Sequence, residues 1–168
     1  MGSISPEQLS FWYQACGTQL VLYGRNWLDA ALAEDVVQEV FVRLMGQRTE
    51  IRDVRAWLFR AVRNGAISHL RRQKRRKKRD QRIATQQQNW FEPHPDDLID
   101  AQMAQTALES LPPRQREIVM LRIWGQMTFK EMAGLVDLPL STVHDHYRTA
   151  LVRIKSKMEL SLCKTKKT

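Results

Sequence analysis

Apolar residues recur every three to four positions along most of the chain, which is the spacing of an α-helix with one buried face. No stretch alternates apolar and polar residues as a half-buried strand does. The pattern therefore predicts an all-α fold. Two segments carry it most clearly: Val37, Val40, Phe41 and Leu44 in one, and Val143, Tyr147, Ala150, Leu151, Ile154 and Met158 in the other.

Local signals place the ends of the first three helices. Ser5-Pro6-Glu7 combines a cap, a proline and an acid in the first turn, and predicts a helix that extends to about Gly24. A second helix is expected from about Ala33 to Met45. Asp53 can cap a third helix, which continues into a run of basic residues. The predicted buried stripe of this third helix is Val54, Trp57, Leu58, Ala61, Val62 and Gly65.

Residues 80–99 interrupt the helical pattern. They contain three successive glutamines at 86–88, then Pro93 and Pro95, with few aliphatic residues. Trp90 and Phe91 are the exceptions, and their role is left open. The composition predicts an N-terminal helical bundle at 1–79, a flexible linker at 80–99 and a second domain at 100–168.

The second domain has the pattern of a helix-turn-helix. A helix is expected at 97–110, and Pro112-Pro113 starts another that ends near Gly125. Thr128 and Glu131 form a capping-box pattern ahead of a short helix. A turn at 137–139 then leads into a long helix at 140–160. A short helix, a tight turn and a longer helix are typical of a unit that places its last helix in the DNA major groove.

The first half of this last helix carries polar residues that can reach base edges. They are predicted to be exposed, and they are Ser141, Thr142, His144, Asp145, Arg148 and Thr149. A helical hairpin with a merely solvated face is the alternative interpretation.

Charge supports a polyanionic partner. The chain has 27 Lys and Arg against 18 Asp and Glu, a formal net charge of +9. Basic residues dominate on both sides of an acidic 80–100 segment, and eight of the nine residues at 71–79 are cationic. This density suits phosphate neutralisation. The alternatives are a frayed, charged helix end and a basic protein without a nucleic-acid partner.

The second helix carries the acidic side chains that could suggest catalysis. Glu34, Asp35, Gln38 and Glu39 share a polar face, but no nucleophile, nearby histidine or Gly-rich loop accompanies them. A protein-contact face, or a solvated one, is therefore expected. His144 and His146 are two apart and diverge on a helix, so no metal site, cofactor or catalytic residue is predicted.

Cysteine usage and hydropathy indicate the compartment. The two cysteines, Cys16 and Cys163, lie at opposite ends of the sequence and form no ligand cluster. No apolar run has the length of a membrane span, and no secretory signal is recognised, so we expect a cytoplasmic protein without membrane insertion.

Three segments resemble the bacterial sigma-70 family of RNA polymerase sigma factors. AEDVVQEVF at 33–41 is similar to the second conserved region of that family. RAWLFRAVRN at 55–64, with HLRR at 69–72, is similar to the promoter-melting helix. LPPRQRE at 111–117 and the helix-turn-helix after it are similar to the −35-binding domain. With no further domain expected before or between them, the arrangement resembles the extracytoplasmic-function subgroup.

The resemblance implies roles for particular residues. Asp35, Gln38 and Glu39 would contact the β′ clamp helices of core RNA polymerase. The −10 element would meet Asn64, Arg71 and Arg72, to which the basic run adds Lys74 and Arg75. The −35 element would meet Ser141, Thr142, His144, Asp145, His146 and Arg148. The implied partners are core polymerase, through the β′ clamp helices and the β flap, promoter DNA and an anti-sigma factor.

The chain departs from the family pattern at three places. Ser68 stands where the family usually has Asp, and His144-Asp145-His146 replaces a typical Lys-Ser-Arg. Asp137 occupies the usual glycine of the turn, a left-handed position that Asp tolerates better than most residues. The second departure predicts an unusual −35 sequence or weaker contacts.

Two other hypotheses remain at this point. A helix-turn-helix regulator acting without core polymerase would explain 111–158 but not the acidic face of the second helix. An enzyme such as a nuclease would need more clustered carboxylates than that face offers.

Overall fold

The structure, a computed structural model, describes residues 4–79 and 106–165. Within these ranges the chain is helical with connecting turns and contains no strand, which confirms the all-α prediction. The chain divides into two compact units, Met1–Trp90 and Phe91–Thr168. The predicted linker at 80–99 and the first part of the helix predicted at 97–110 lie outside the described residues. The limits at 79, 99 and 100 therefore stay predictions.

The described part of the N-terminal unit consists of three helices, each of which packs against the other two: α1 (Pro6–Gly24), α2 (Ala30–Met45) and α3 (Val54–Arg79). Ser5 and Gln8 form a reciprocal capping box at the start of α1. The predicted start of α2 at Ala33 was wrong by three residues, because the Asp29 carboxylate accepts a hydrogen bond from the Leu32 N–H at 2.8 Å and caps the helix earlier.

The core of this unit centres on Tyr23, which is fully buried and packs its ring against Phe59 at 5.1 Å and Trp27 at 5.2 Å. Where α2 crosses α3, a β-carbon added to Gly65 would lie only 2.8 Å from Cγ1 of Val36, so glycine sets the close approach of the two helices. The other fully buried aliphatic residues come from all three helices: Leu20, Val40, Leu44, Leu58 and Val62. Trp57, predicted in the buried stripe, is only half-buried.

The C-terminal unit begins, within the described residues, with a helical turn at 106–109. Three helices follow: α4 (Pro113–Ile123), α5 (Phe129–Val136) and α6 (Leu140–Thr165). The Arg116 guanidinium joins the turn to α4 by donating to the carbonyls of Leu108, Glu109 and Leu111 at 2.9–3.1 Å. Burial lowers the pKa of Arg116, and the neighbouring Glu109 carboxylate opposes that shift.

The connection from α4 to α5 requires a glycine at position 125. A β-carbon there would lie 2.6 Å from the Leu121 carbonyl oxygen, closer than van der Waals contact allows. Thr128 then starts α5 with the predicted capping box, in which its N–H and hydroxyl donate to Glu131 at 2.8 Å.

Packing of α4, α5 and α6 around one core completes the predicted helix-turn-helix. Asp137 ends α5 in the left-handed conformation, with φ 54° and ψ 52°, as its place in the turn predicted. Leu151 was wrongly assigned to the buried stripe of α6: its side chain is 41% exposed. The core residues include Leu111, Ile118, Val119, Met120, Leu121, Met127, Met132, Val136, Val143 and Ala150.

Candidate protein and nucleic-acid interfaces

The exposed face of α2 combines acidic and apolar side chains. Asp35, Gln38 and Glu39 are all exposed and line an open groove together with residues of α2 and α3. The remaining lining residues are Val42, Arg43 and His69. This groove is consequently both charged and apolar, unlike a solvated helix face.

Val42 and Met45 are the parts of this face that sequence reasoning missed. Val42 is 61% exposed and Met45 is 49% exposed, and both lie one or two turns beyond Gln38 along the same side of α2. Each falls off the buried stripe that ends with Phe41 and Leu44, and that offset is the signal that could have identified them. Exposed apolar side chains beside polar ones are typical of a protein-binding surface.

One side of α3 aligns the residues assigned to the −10 element. Asn64, Arg71 and Arg75 follow one another at helical spacing together with Ser68, all of them exposed, and exposed Arg72 lies about a fifth of a turn to one side. Lys74 is also exposed but projects about a quarter-turn away from this stripe, because each residue advances the helix by about 100°. The stripe therefore passes from an uncharged N-terminal part to a cationic C-terminal part.

The described side chains of the basic run are open to solvent. All six residues from 71 to 76 are exposed, and the cations among them spread over more than half of the circumference of α3. Arg75 donates from Nε to the Arg71 carbonyl oxygen at 3.3 Å. The side chains of 77–79 lie outside the described residues. A helix end of this composition can neutralise phosphates from several directions.

The first half of α6 presents a mixed surface. Ser141, Asp145, Arg148 and Thr149 are exposed, as predicted, whereas Thr142 is half-buried and was wrongly expected to be exposed. Of the two histidines assigned to the −35 element, His144 is exposed and His146 is half-buried. Thr142 and His146 share the flank of α6 that turns toward the rest of the unit, because they are four residues apart.

His144 is held by a ring stack that the sequence did not reveal. Its imidazole lies on the Phe129 ring with the centroids 3.9 Å apart and the planes 29° from parallel. The Arg122 guanidinium carbon lies 4.9 Å from the same phenyl centroid, and its Nη1 donates to the Met127 carbonyl at 2.8 Å. Tyr147 meets Phe129 edge-on at 5.3 Å. Phe129 thus fixes one side chain of the candidate DNA-contacting surface.

The described residues offer little for other chemistry. No group of three or more His, Cys, Asp or Glu among them is placed to hold a metal ion. Cys16 is buried and donates to the Trp12 carbonyl at 3.0 Å, and its burial raises the pKa of the thiol. Of the helices in the described ranges, none combines the length and hydropathy needed to cross a lipid bilayer.

Comparison with known proteins identifies both units. Residues 13–76 match the family described as "Sigma-70 region 2" and residues 101–154 the one described as "Sigma-70, region 4". The RNA polymerase sigma-E factor of Streptomyces avermitilis is 30% identical over 142 residues, which cover 78% of this chain and 73% of that protein. The ECF RNA polymerase sigma factor RpoE of Cereibacter sphaeroides is 28% identical over 141 residues, which cover 77% of this chain and 74% of that protein.

Solved structures give the same fold. The sigma factor RpoE of Bartonella quintana, crystallised with the anti-sigma factor NepR, is similar with a TM-score of 0.69 and 18% identity, over 92% of this chain and 98% of that chain. The two family regions occur in the expected order, and a sigma factor of 30% identity matches along most of its length. Both findings support the same family. The chain belongs to the sigma-70 family of RNA polymerase sigma factors, in its extracytoplasmic-function subgroup.

Proposed function

We propose that the chain binds core RNA polymerase through α2 and directs it to promoters through α3 and α6. The exposed face of α2 meets the β′ clamp helices, and the polymerase β flap supplies a second contact. The stripe on α3 meets the −10 element, and the first half of α6 meets the −35 element. The chain carries no catalytic site of its own and acts in the cytoplasm, where polymerase and promoter DNA are found.

One observation carries this proposal: an exposed face that is both acidic and apolar and an exposed basic helix segment occur on the same unit. Asp35, Gln38 and Glu39 lie exposed on α2 next to exposed Val42, while α3 ends in exposed cations. A helix-turn-helix regulator acting alone would need only the C-terminal unit and would leave both features of the N-terminal unit without a purpose.

The composition of the α2 face fits a protein partner of opposite charge. Exposed Val42 and Met45 offer apolar area that gains free energy when water is removed, at about 25 cal/mol per Å². The carboxylates of Asp35 and Glu39 beside them favour a basic partner and raise the rate of encounter. Apolar contact therefore supplies affinity, and the carboxylates supply orientation.

The two DNA-contacting surfaces suit two different tasks. Asn64 can donate and accept hydrogen bonds with exposed bases, and the cations that follow it on α3 can hold the backbone of the same strand. The first half of α6 has the polar side chains and the helix-turn-helix support that major-groove recognition requires.

An anti-sigma factor is proposed as a further partner. Support comes from the Bartonella relative, which was solved with one bound. The exposed apolar residues on α2 would also be available to such a partner, which would then compete with core polymerase.

Charge reversal on α2 tests the proposal. The double variant Asp35→Lys with Glu39→Lys should lose core binding, because both carboxylates would be replaced by repelling cations. Glu39→Lys alone is compared with Glu50→Lys, a matched reversal at an exposed residue off this face. Core binding is measured by co-purification, and activity by run-off transcription on genomic fragments with the start sites mapped.

The expected result is loss of both readouts for the double variant and for Glu39→Lys, with Glu50→Lys unchanged and circular dichroism unaltered throughout. Unchanged core affinity of the double variant would show that α2 is not the polymerase interface. DNA binding by the chain alone, with no core binding by the wild type, would favour the independent regulator.

A further inference from the structure

An acidic residue lies in the middle of the surface that α6 offers to DNA. Asp145 is exposed, with Ser141 four residues before it, Arg148 three after it and Thr149 four after it, so these side chains share one face of the helix. A carboxylate in that place is repelled by the phosphates on both sides of the groove. Its presence therefore calls for a compensating contact.

The Asp145 side chain has no partner among the described residues, and neither does that of Arg148. Pairs with similar spacing do form elsewhere in this unit: Arg114 and Glu117 are 3.0 Å apart on α4, and Lys155 and Glu159 are 3.9 Å apart on α6. The two opposite charges at 145 and 148 are thus close in sequence, exposed and both available to a ligand.

The chemistry of the major groove limits which base atoms can bind the Asp145 carboxylate. An ionised carboxylate only accepts hydrogen bonds, and the donors at base edges in the major groove are N4 of cytosine and N6 of adenine. Adenine places the N7 acceptor beside its donor, where it faces the second carboxylate oxygen. Guanine and thymine present acceptors at the corresponding positions. Cytosine alone offers an amino group without an acceptor on the major-groove edge of the same base.

We propose that Asp145 is a specificity-determining residue that accepts a hydrogen bond from N4 of a cytosine in the −35 element. The assignment rests on the proposed contact of α6 with that element. Arg148 lies about 4.5 Å farther along the helix axis than Asp145, and the base-pair rise is about 3.4 Å. Arg148 therefore contacts a neighbouring base pair. Arginine in such a place pairs with O6 and N7 of guanine.

The same carboxylate acts against other bases. Opposite guanine O6 or thymine O4 it meets a second acceptor, and the contact is unfavourable. Removing the charge consequently has two opposite effects: the cytosine-containing site loses affinity, while sites with other bases gain affinity as phosphate repulsion falls. A residue with a purely structural role would lower affinity for every site alike.

The test uses the full chain bound to core polymerase and a duplex library randomised over the −35 and −10 elements. Bound sequences are compared for wild type, Asp145→Ala and Asp145→Asn. The matched control is Asp137→Asn, the same chemical change at an exposed position in the turn before α6.

Wild type should enrich cytosine at one −35 position, by about 5- to 150-fold over the other bases. Asp145→Ala should abolish that preference at that position alone. Asp145→Asn should shift it toward adenine, since an amide can pair with both N6 and N7. Asp137→Asn should retain the wild-type preference.

Three outcomes overturn the assignment. If wild type enriches a −35 sequence and Asp145→Ala enriches the same one, Asp145 selects no base, although α6 still contacts the element. The same conclusion holds if the wild type prefers a base other than cytosine wherever Asp145→Ala changes the preference. If wild type enriches a −10 sequence but no −35 sequence, the proposed role of α6 fails, and the assignment fails with it.

Discussion

The two surfaces proposed to contact DNA, at the end of α3 and at the start of α6, differ in charge density and in the variety of their side chains. At the end of α3, six successive exposed residues provide five cations. At the start of α6, one exposed face carries a single acid, a single arginine and two hydroxyl groups, beside a histidine stacked on a phenyl ring. The first surface is rich in charge and poor in geometric detail, and the second is the reverse.

This contrast shows how a small protein can divide affinity from selectivity. A flexible cation gains nearly the same free energy from any phosphate, so the end of α3 should tolerate rearrangement as long as its charge is kept. A base contact depends on direction and distance, so α6 needs the turn at Asp137 and the ring of Phe129 to place its side chains.

Removing charge from α3 should have the largest effect. Arg71→Gln with Arg72→Gln should weaken binding of the polymerase complex to every promoter by about 10- to 50-fold at 0.1 M salt, because two phosphate contacts are lost. The slope of log affinity against log salt should fall by about 1.5 to 2 units. Affinity is measured by titration at four salt concentrations on several promoters.

The matched control for this pair is Arg48→Gln with Arg52→Gln, which removes two exposed cations of the same unit away from the stripe. Its salt slope should remain close to that of the wild type. Replacing Arg71 and Arg72 by Lys should restore most of the affinity, since charge is what this surface supplies. A loss confined to one promoter, with an unchanged slope, would mean that these arginines recognise bases.

The sequence predicted the elements of the fold well, because the signals are local. The capping box of Thr128 and Glu131 and the start of α4 at Pro112-Pro113 follow from residues within a few positions of one another, whereas the left-handed turn at Asp137 was implied by the family resemblance. The continuous α3 also follows from local propensity, since arginine and lysine are good helix formers.

Features that depend on tertiary contacts were not predictable in this way. The stack of His144 on Phe129 joins residues 15 positions apart, and only the packing of α5 against α6 brings them together. The exposure of Val42 and Met45 depends on where α1 and α3 lie around α2. Leu151 fits the helical periodicity, yet 41% of it stays exposed within its unit as described, so periodicity alone placed it wrongly.

Loss of the Phe129 ring should affect α6 and leave α3 unchanged. Phe129→Leu retains an apolar side chain but removes the stack, and such ring pairs contribute about 0.5–1.5 kcal/mol beyond buried area. We expect a loss of about fivefold in discrimination at the −35 base pair that His144 contacts, with an unchanged salt slope. A panel of −35 point mutants measures the discrimination.

His144→Ala provides the partner for a double-mutant cycle. If Phe129 acts through His144, adding Phe129→Leu to His144→Ala should cost no further discrimination. Phe11→Leu, an exposed phenylalanine whose ring contacts Trp12 in the other unit, is the matched control and should leave the panel unchanged. A further loss in the double variant would mean that the ring supports the unit as a whole.

The turn residue Asp137 allows the test with the smallest expected effect on the surface at the start of α6. Its carboxylate lies between the C-terminal end of α5 and the N-terminal end of α6, whose dipoles act on it in opposite senses, so conformation should decide the outcome. At φ 54° glycine is unstrained, and Asp137→Gly should stabilise the unit by about 0.5 kcal/mol, whereas Asp137→Ala should cost about 1 kcal/mol. Hydrogen exchange of the α5 amides in the full chain measures both changes.

Base preference and salt slope should stay unchanged in Asp137→Gly, because no DNA-contacting side chain is altered. Equal exchange rates for the glycine and alanine variants would show that the left-handed conformation of this turn does not limit the stability of the surface.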